Sequence, residues 1–182
     1  MNIFYLHPEP RECAKLHNDK HVVKMILEYA QLLSTAHRFL DGNEITELTA
    51  NGRRIKRWKL ESKLDNILYK STHSNHPSAV WVRKSPENYN WLANLLLEVC
   101  TEYTYRYGKV HKVERSGLCY VLYKNMPQKI GNEGWSEPTP AMPDEYKVPG
   151  DSIQSYINYY VNAKTHLASW KKRTIPSWYE NN

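Results

Sequence analysis

The sequence predicts a mainly α protein, a single compact helical domain with long loops. Three observations carry that expectation. Apolar residues recur at alternating steps of four and three along two long segments, and helix start and stop signals flank those segments. The chain of 182 residues, 41% apolar and 24% charged, is long enough to bury a core and too apolar for wholesale disorder.

Taken in order, Ile3–Leu6 is a short apolar run stopped by His7-Pro8-Glu9-Pro10, to be read as a short strand or an N-terminal arm. Arg11–Leu40 is expected to form one helix, because Val22, Ile26, Tyr29, Leu33, Ala36 and Leu40 draw a single apolar stripe. Asp41-Gly42-Asn43 ends it. A second helix is predicted over Glu44–Ala50, ending at Asn51-Gly52, followed by the basic stretch Arg53–Lys59. Leu60, Leu64, Ile67 and Leu68 suggest another short amphipathic helix. The polar loop Ser71–Pro77 leads to the apolar cluster Ala79–Val82. Ser85-Pro86-Glu87 supplies a capping hydroxyl, a first-turn proline and an acid, and Leu92, Leu96, Val99 and Tyr103 carry that helix to Tyr107-Gly108. A weaker helix over Glu114–Lys124 is interrupted at Gly117. Met126–Gly150 holds five prolines and three glycines and reads as a wrapping loop. Asp151 caps a last helix with Ile153, Ile157, Tyr160, Lys164 and Leu167 on one side, and a basic, aromatic tail follows.

No apolar run approaches the roughly 20 residues that span a bilayer, so no membrane association is expected. Met1–Pro8 has no basic leader or signal core, so a cytoplasmic location is expected. Cys13, Cys100 and Cys119 are far apart and form no C-x-x-C pair, as expected of buried thiols in a reducing compartment. The net charge is +6 and the pI about 9.1, with 14 Tyr and 6 Trp against 2 Phe. Basic charge combined with amphipathic rings points toward a nucleic-acid partner. P-loop, dinucleotide-fold and nucleophile-elbow patterns are absent.

The polar side of the first long helix concentrates candidate chemistry: His17, His21, Lys24, Glu28, Gln31, Thr35 and Arg38 advance by fours and threes. One reading is a solvated face with Lys24 and Glu28 as an ordinary helical ion pair, the other an acid–base site. His17 and His21 also have the spacing to share a metal, with His73, His76 or Asp19 as third ligand, although Asn18 stands where metalloprotease helices carry a glutamate after the first histidine. Arg53, Arg54, Lys56 and Arg57 form either a solvated helix edge or a phosphate-contacting edge anchored by Trp58. The tail interleaves Lys171, Lys172 and Arg173 with Trp178 and Tyr179. It is either a docked chain end, or cations on phosphate beside rings that stack on or wedge between bases.

Four segments, in the same order, resemble one family: the bacteriophage pyrimidine-dimer DNA glycosylases of the endonuclease V type. They are Asp19-Lys20-His21 followed by Glu28-Tyr29, the basic run Ala50–Lys59, the stretch His76–Gly108, and Pro176-Ser177-Trp178-Tyr179. The resemblance implies a bifunctional glycosylase and abasic-site lyase acting on duplex DNA as a monomer, with no metal and no cofactor. Its nucleophile is the N-terminal amine, here that of Met1. The helix glutamate, matched by Glu28, serves as acid–base, with the histidine matched by His21 beside it. An α-amine ordinarily titrates at about 7.7–8.0, so amines of this kind are partly neutral without burial. Three departures stand out. Asn2 is large for removal of the initiator methionine, so Met1 is expected to stay. The segment before His21 is longer than in the family. Leu27 and Gln31 occupy the positions of two family arginines, which makes Lys24 and Arg38 the candidate replacements as DNA contacts. Two other readings compete: a non-catalytic nucleic-acid-binding protein on this scaffold, and a metal-dependent hydrolase built on His17 and His21.

Overall fold

The structure, a computed structural model, describes residues 1–180. The expected first helix is two helices, α1 (Pro10–Leu16) and α2 (Asp19–Asp41). The break lies at His17-Asn18, where both residues turn extended and the Asn18 carboxamide accepts the His21 backbone N–H at 2.9 Å. An asparagine that satisfies a first-turn donor starts a new helix more readily than it continues an old one. α2 ends where Gly42 turns extended, and the close packing there requires glycine: a side chain would place Cβ 2.5 Å from the Arg38 carbonyl oxygen.

The predicted helix over Glu44–Ala50 is instead a strand. β1 (Asn43–Leu48) pairs antiparallel with β2 (Arg54–Lys59), in register from Asn43 opposite Lys59 to Leu48 opposite Arg54. Asn51-Gly52 stops a helix, but between β-branched and aromatic residues it closes a hairpin, and Gly52 takes the positive φ of 77° that such a turn needs. The basic stretch is therefore strand and not helix edge. The amphipathic helix expected after it shrinks to one 3-10 turn, Lys63–Asn66.

α3 (Pro77–Val82) and α4 (Pro86–Tyr107) follow as the sequence indicates, with the Ser85 hydroxyl accepting the Asn88 N–H at 3.1 Å and left-handed Gly108 closing α4. The weaker helix divides at Gly117 into α5 (Lys112–Arg115) and α6 (Leu118–Lys124). The proline-rich 126–150 loop is pinned to α3 and α4, since the Trp81 indole donates to the Ser136 carbonyl at 3.0 Å and Asn88 bonds Ser136 in both directions. α7 (Ser152–Ala163) is capped by Asp151, and α8 (Ser177–Glu180) ends the described chain.

The core lies between α2 and α4, with α1 on α4, α3 on α2, and α6 against both. Val22, Ile26, Tyr29 and Leu33 of α2 and Leu92, Leu96 and Val99 of α4 are fully buried. Each such aliphatic side chain contributes about 1.5–3 kcal/mol through removal from water. Ile3–Leu6 forms no strand; it threads through this core as an extended, buried arm. Among the described residues no helix is long and apolar enough to cross a membrane.

Candidate active site

The arm ends beside the middle of α2. The Met1 amine stands 3.5 Å from Glu28 Oε2, and the Lys24 ammonium 3.1 Å from Glu28 Oε1. Glu28 is 13% exposed and Lys24 69%, so the carboxylate sits in a shallow recess with a solvated cation at its rim. The expected helical pair of Lys24 and Glu28 is present, with a second positive group opposite.

A buried network holds the arm. The Phe4 N–H donates to the Tyr29 hydroxyl (3.3 Å), and the Cys13 thiol donates to the Phe4 carbonyl (3.2 Å) while accepting the Leu6 N–H (3.4 Å). His17 completes the set. Its Nδ1 lies 2.7 Å from the Cys13 carbonyl, which only accepts, so Nδ1 donates and Nε2 accepts from Tyr29 at 2.8 Å. Burial holds the His17 pKa down to about 4, keeping the ring neutral. Both its nitrogens are engaged inside the core, and among the described residues no group of three or more His, Cys, Asp or Glu could hold a metal.

His21 occupies a different place from the one the sequence suggests. It is two turns from Glu28, and its ring stacks on Phe4 at 3.9 Å between centroids and bonds the Tyr160 hydroxyl. Burial, then the charges of His17, Lys164 and Lys24, depress its pKa to about 2. The ring is thus a neutral platform under the arm. His76, by contrast, senses the site. Its pKa is lowered first by burial and then by the Met1 amine and His73, with Glu28 opposing. Its Nδ1 accepts the Ser78 N–H at α3, so the neutral ring carries its proton on Nε2. The sequence offers His76 as a possible metal ligand and as the start of a family-like segment, not as a neighbour of Glu28; what brings it close is the return of that loop across α2, where Thr72 and Thr35 bond each other.

Other candidate residues separate into exposed and structural sets. Arg38 is buried and donates to the Tyr69, Trp58, Asp65 and Leu68 carbonyls and to the Asp65 carboxylate at 2.6–3.0 Å. It ties the hairpin to α2, so its assignment as a DNA contact is corrected. Arg53 and Arg54 are exposed at the hairpin tip. Lys56 pairs with Glu44 at 2.9 Å, and Arg57 donates to the Ser71 carbonyl. In the tail, Arg173 pairs with Glu102 at 2.8 Å and lies over the Tyr105 ring, whereas Lys171 and Lys172 are exposed. Trp178 and Tyr179 are half-buried against Trp170, and Trp178 also packs on Tyr160. The tail is a docked chain end, which overturns the picture of freely projecting wedges.

Leu27, at a family arginine position, is half-exposed and lines an apolar cleft of about 420 Å³ with Val23, Tyr69, Val113 and the stem of Lys24. The recess at Glu28 therefore opens beside an apolar surface flanked by Lys24 and Lys112.

The site defines a helical protein that brings an α-amine and a carboxylate together at a surface carrying basic residues. Residues 1–115 match the model of the pyrimidine dimer DNA glycosylase family, and the chain belongs to that family of DNA repair proteins. No curated protein and no solved structure matches the chain.

Proposed function

We propose that the chain is a DNA glycosylase and abasic-site lyase acting on pyrimidine dimers in duplex DNA, with the Met1 amine as nucleophile and Glu28 as its acid–base partner. The observation that carries this reading is the 3.5 Å approach of the amine to Glu28 Oε2 in a recess where the Met1 and Glu28 side chains are 7% and 13% exposed. In its neutral form the amine attacks C1′ of the damaged nucleotide, and the C1′–base bond breaks as the C1′–N bond forms. The carboxylate stabilises cationic character at the sugar, and by moving protons it assists ring opening to the imine. Removal of a C2′ proton then expels the 3′-phosphate, leaving a nicked strand. Lys24 balances the Glu28 charge and, with Arg53, Arg54 and Lys171, offers phosphate contacts that help offset bending of the duplex.

Borohydride reduction on an abasic duplex tests the proposal. The expected product is a covalent adduct whose peptide map places the DNA on Met1. Nicking at full rate by protein with an acetylated N-terminus rules out the amine.

A further inference from the structure

Away from the amine and Glu28, four rings gather where the arm, α4 and the 126–150 loop meet. Tyr5, Trp81, Trp91 and Trp135 have centroids 5.1–6.4 Å apart. Three of them, Tyr5, Trp91 and Trp135, line an open bowl of about 540 Å³. Trp135 is 44% exposed, a large indole left in water. The Trp91 N–H donates to the Pro8 carbonyl at 2.6 Å, which ties the Pro8–Pro10 turn against α4 and fixes the wall.

The rim inverts the charge of the molecule. Glu9, Glu87 and Glu98 surround the bowl against Arg11 alone, on a chain of net charge +6. Glu87, Trp91 and Glu98 share one face of α4, so ring and carboxylates point to the same space. Indole faces attract cations, and nearby carboxylates add to that attraction. Elsewhere the protein supplies such cations itself: Arg83 lies over Phe39, Lys164 over Tyr159, Lys171 over Tyr107, and Lys172 and Arg173 over Tyr105. Among the described residues no cation lies over Trp91 or Trp135.

We propose that this bowl docks a lysine or arginine side chain of a basic partner protein. Phosphate is repelled by the three carboxylates, which sets this surface apart from one that grips DNA. Charge complementarity selects the occupant, and the volume accommodates one long cationic side chain with its flanking backbone.

The test uses the intact ¹⁵N-labelled protein and an acetylated, amidated Gly-Lys-Gly-Lys-Gly peptide, reading the indole N–H signals. Saturable shifts confined to Trp135 and Trp91 are expected, with binding weakened at least threefold in Glu98→Gln. Calorimetry on Trp135→Ala is expected to show at least a tenfold weaker dissociation constant; thermal melts of Glu98→Gln stay at the wild-type value, and Trp135→Ala, which loses its contacts to Tyr5, Trp81 and Trp91, stays folded at the assay temperature. An unmoved Trp135 signal, or an equal response to the Gly-Asp-Gly-Asp-Gly peptide or to oligothymidine, overturns the proposal. So does self-association in sedimentation that depends on Trp135, which makes a second copy the occupant.

Discussion

Removing the Tyr29 hydroxyl tests how the amine is held at Glu28. In Tyr29→Phe the ring still fills its place in the core, but the Phe4 N–H loses its acceptor at 3.3 Å and His17 Nε2 loses its donor at 2.8 Å. Both atoms are buried, and leaving a buried polar group unsatisfied costs about 1–3 kcal/mol. The longer bond belongs at the weak end, so the pair sums to about 2–4 kcal/mol of stability. Urea unfolding measures that loss directly. The functional consequence is separate. The arm between Ile3 and Leu6 keeps its links to Cys13 and its ring packing but loses the one backbone hydrogen bond that ties Phe4 to α2, so the amine samples positions away from Glu28. Misplacement by an ångström slows reactions of this kind by up to about a hundredfold. Borohydride trapping, scaled to the folded fraction, is expected to slow at least tenfold. A stability loss in the stated range with an unchanged trapping rate per folded molecule refutes the idea that this network sets the reach of the amine. A loss below about 0.5 kcal/mol refutes the energetic argument itself.

Three further outcomes follow from the same geometry. Glu28→Gln keeps size and removes charge, so trapping should fall by about 10²–10⁴-fold, with duplex binding in gel shifts changed by less than about threefold; equal trapping by this variant removes Glu28 from the chemistry. His17 is held neutral with its pKa down to about 4, so the unfolded chain binds its proton first as pH falls. Stability is therefore full above about 6.5 and lost between there and about 4, by about 3 kcal/mol from this residue, with His21 acting in the same direction; urea midpoints at pH 7, 5.5 and 4.5 read the slope, which His17→Gln should flatten. Arg38→Met strands the Asp65 carboxylate and four carbonyls, and is expected to cost about 3–5 kcal/mol. Arg54→Gln should leave the melting temperature unchanged and reduce the salt slope of DNA binding by about one unit; if the two variants exchange these behaviours, the division into structural and exposed arginines is wrong.

The apolar faces of α2 and α4 were legible in the sequence because periodicity reports whatever the partner helix covers. The opposite side of α2 was not. Lys24, Glu28 and Gln31 do reach the surface or its edge, but His21, Thr35 and Arg38 of the same polar row are buried, as is His17 just before the helix. What covers them is irregular chain: the N-terminal arm, the hairpin and the returning 65–76 loop, none of which announces its docking by a repeat. The hairpin itself was hidden because Asn51-Gly52 both ends helices and closes two-stranded turns, and Glu44 with Glu47 mimics helical spacing. The pairing of Met1 with Glu28 joins residues far apart in sequence, so only the family likeness suggested it, and the approach of His76 to that pair became visible only in three dimensions. A related argument applies to charge. Arg38, Arg57, Arg106 and Arg173 are all engaged with internal carbonyls or carboxylates, Arg106 completely buried between Glu102 and Asp19. A pI near 9.1 therefore overstates the positive surface offered to a partner. Among the described residues, exposed cations outside any ion pair include Lys20 on α2, Arg53 and Arg54 at the hairpin tip, Lys109 after α4 and Lys112 on α5, whereas Lys24 is solvated but paired with Glu28. Guanidinium groups with many donors stitch irregular segments together, while ammonium groups stay hydrated and remain available for phosphate.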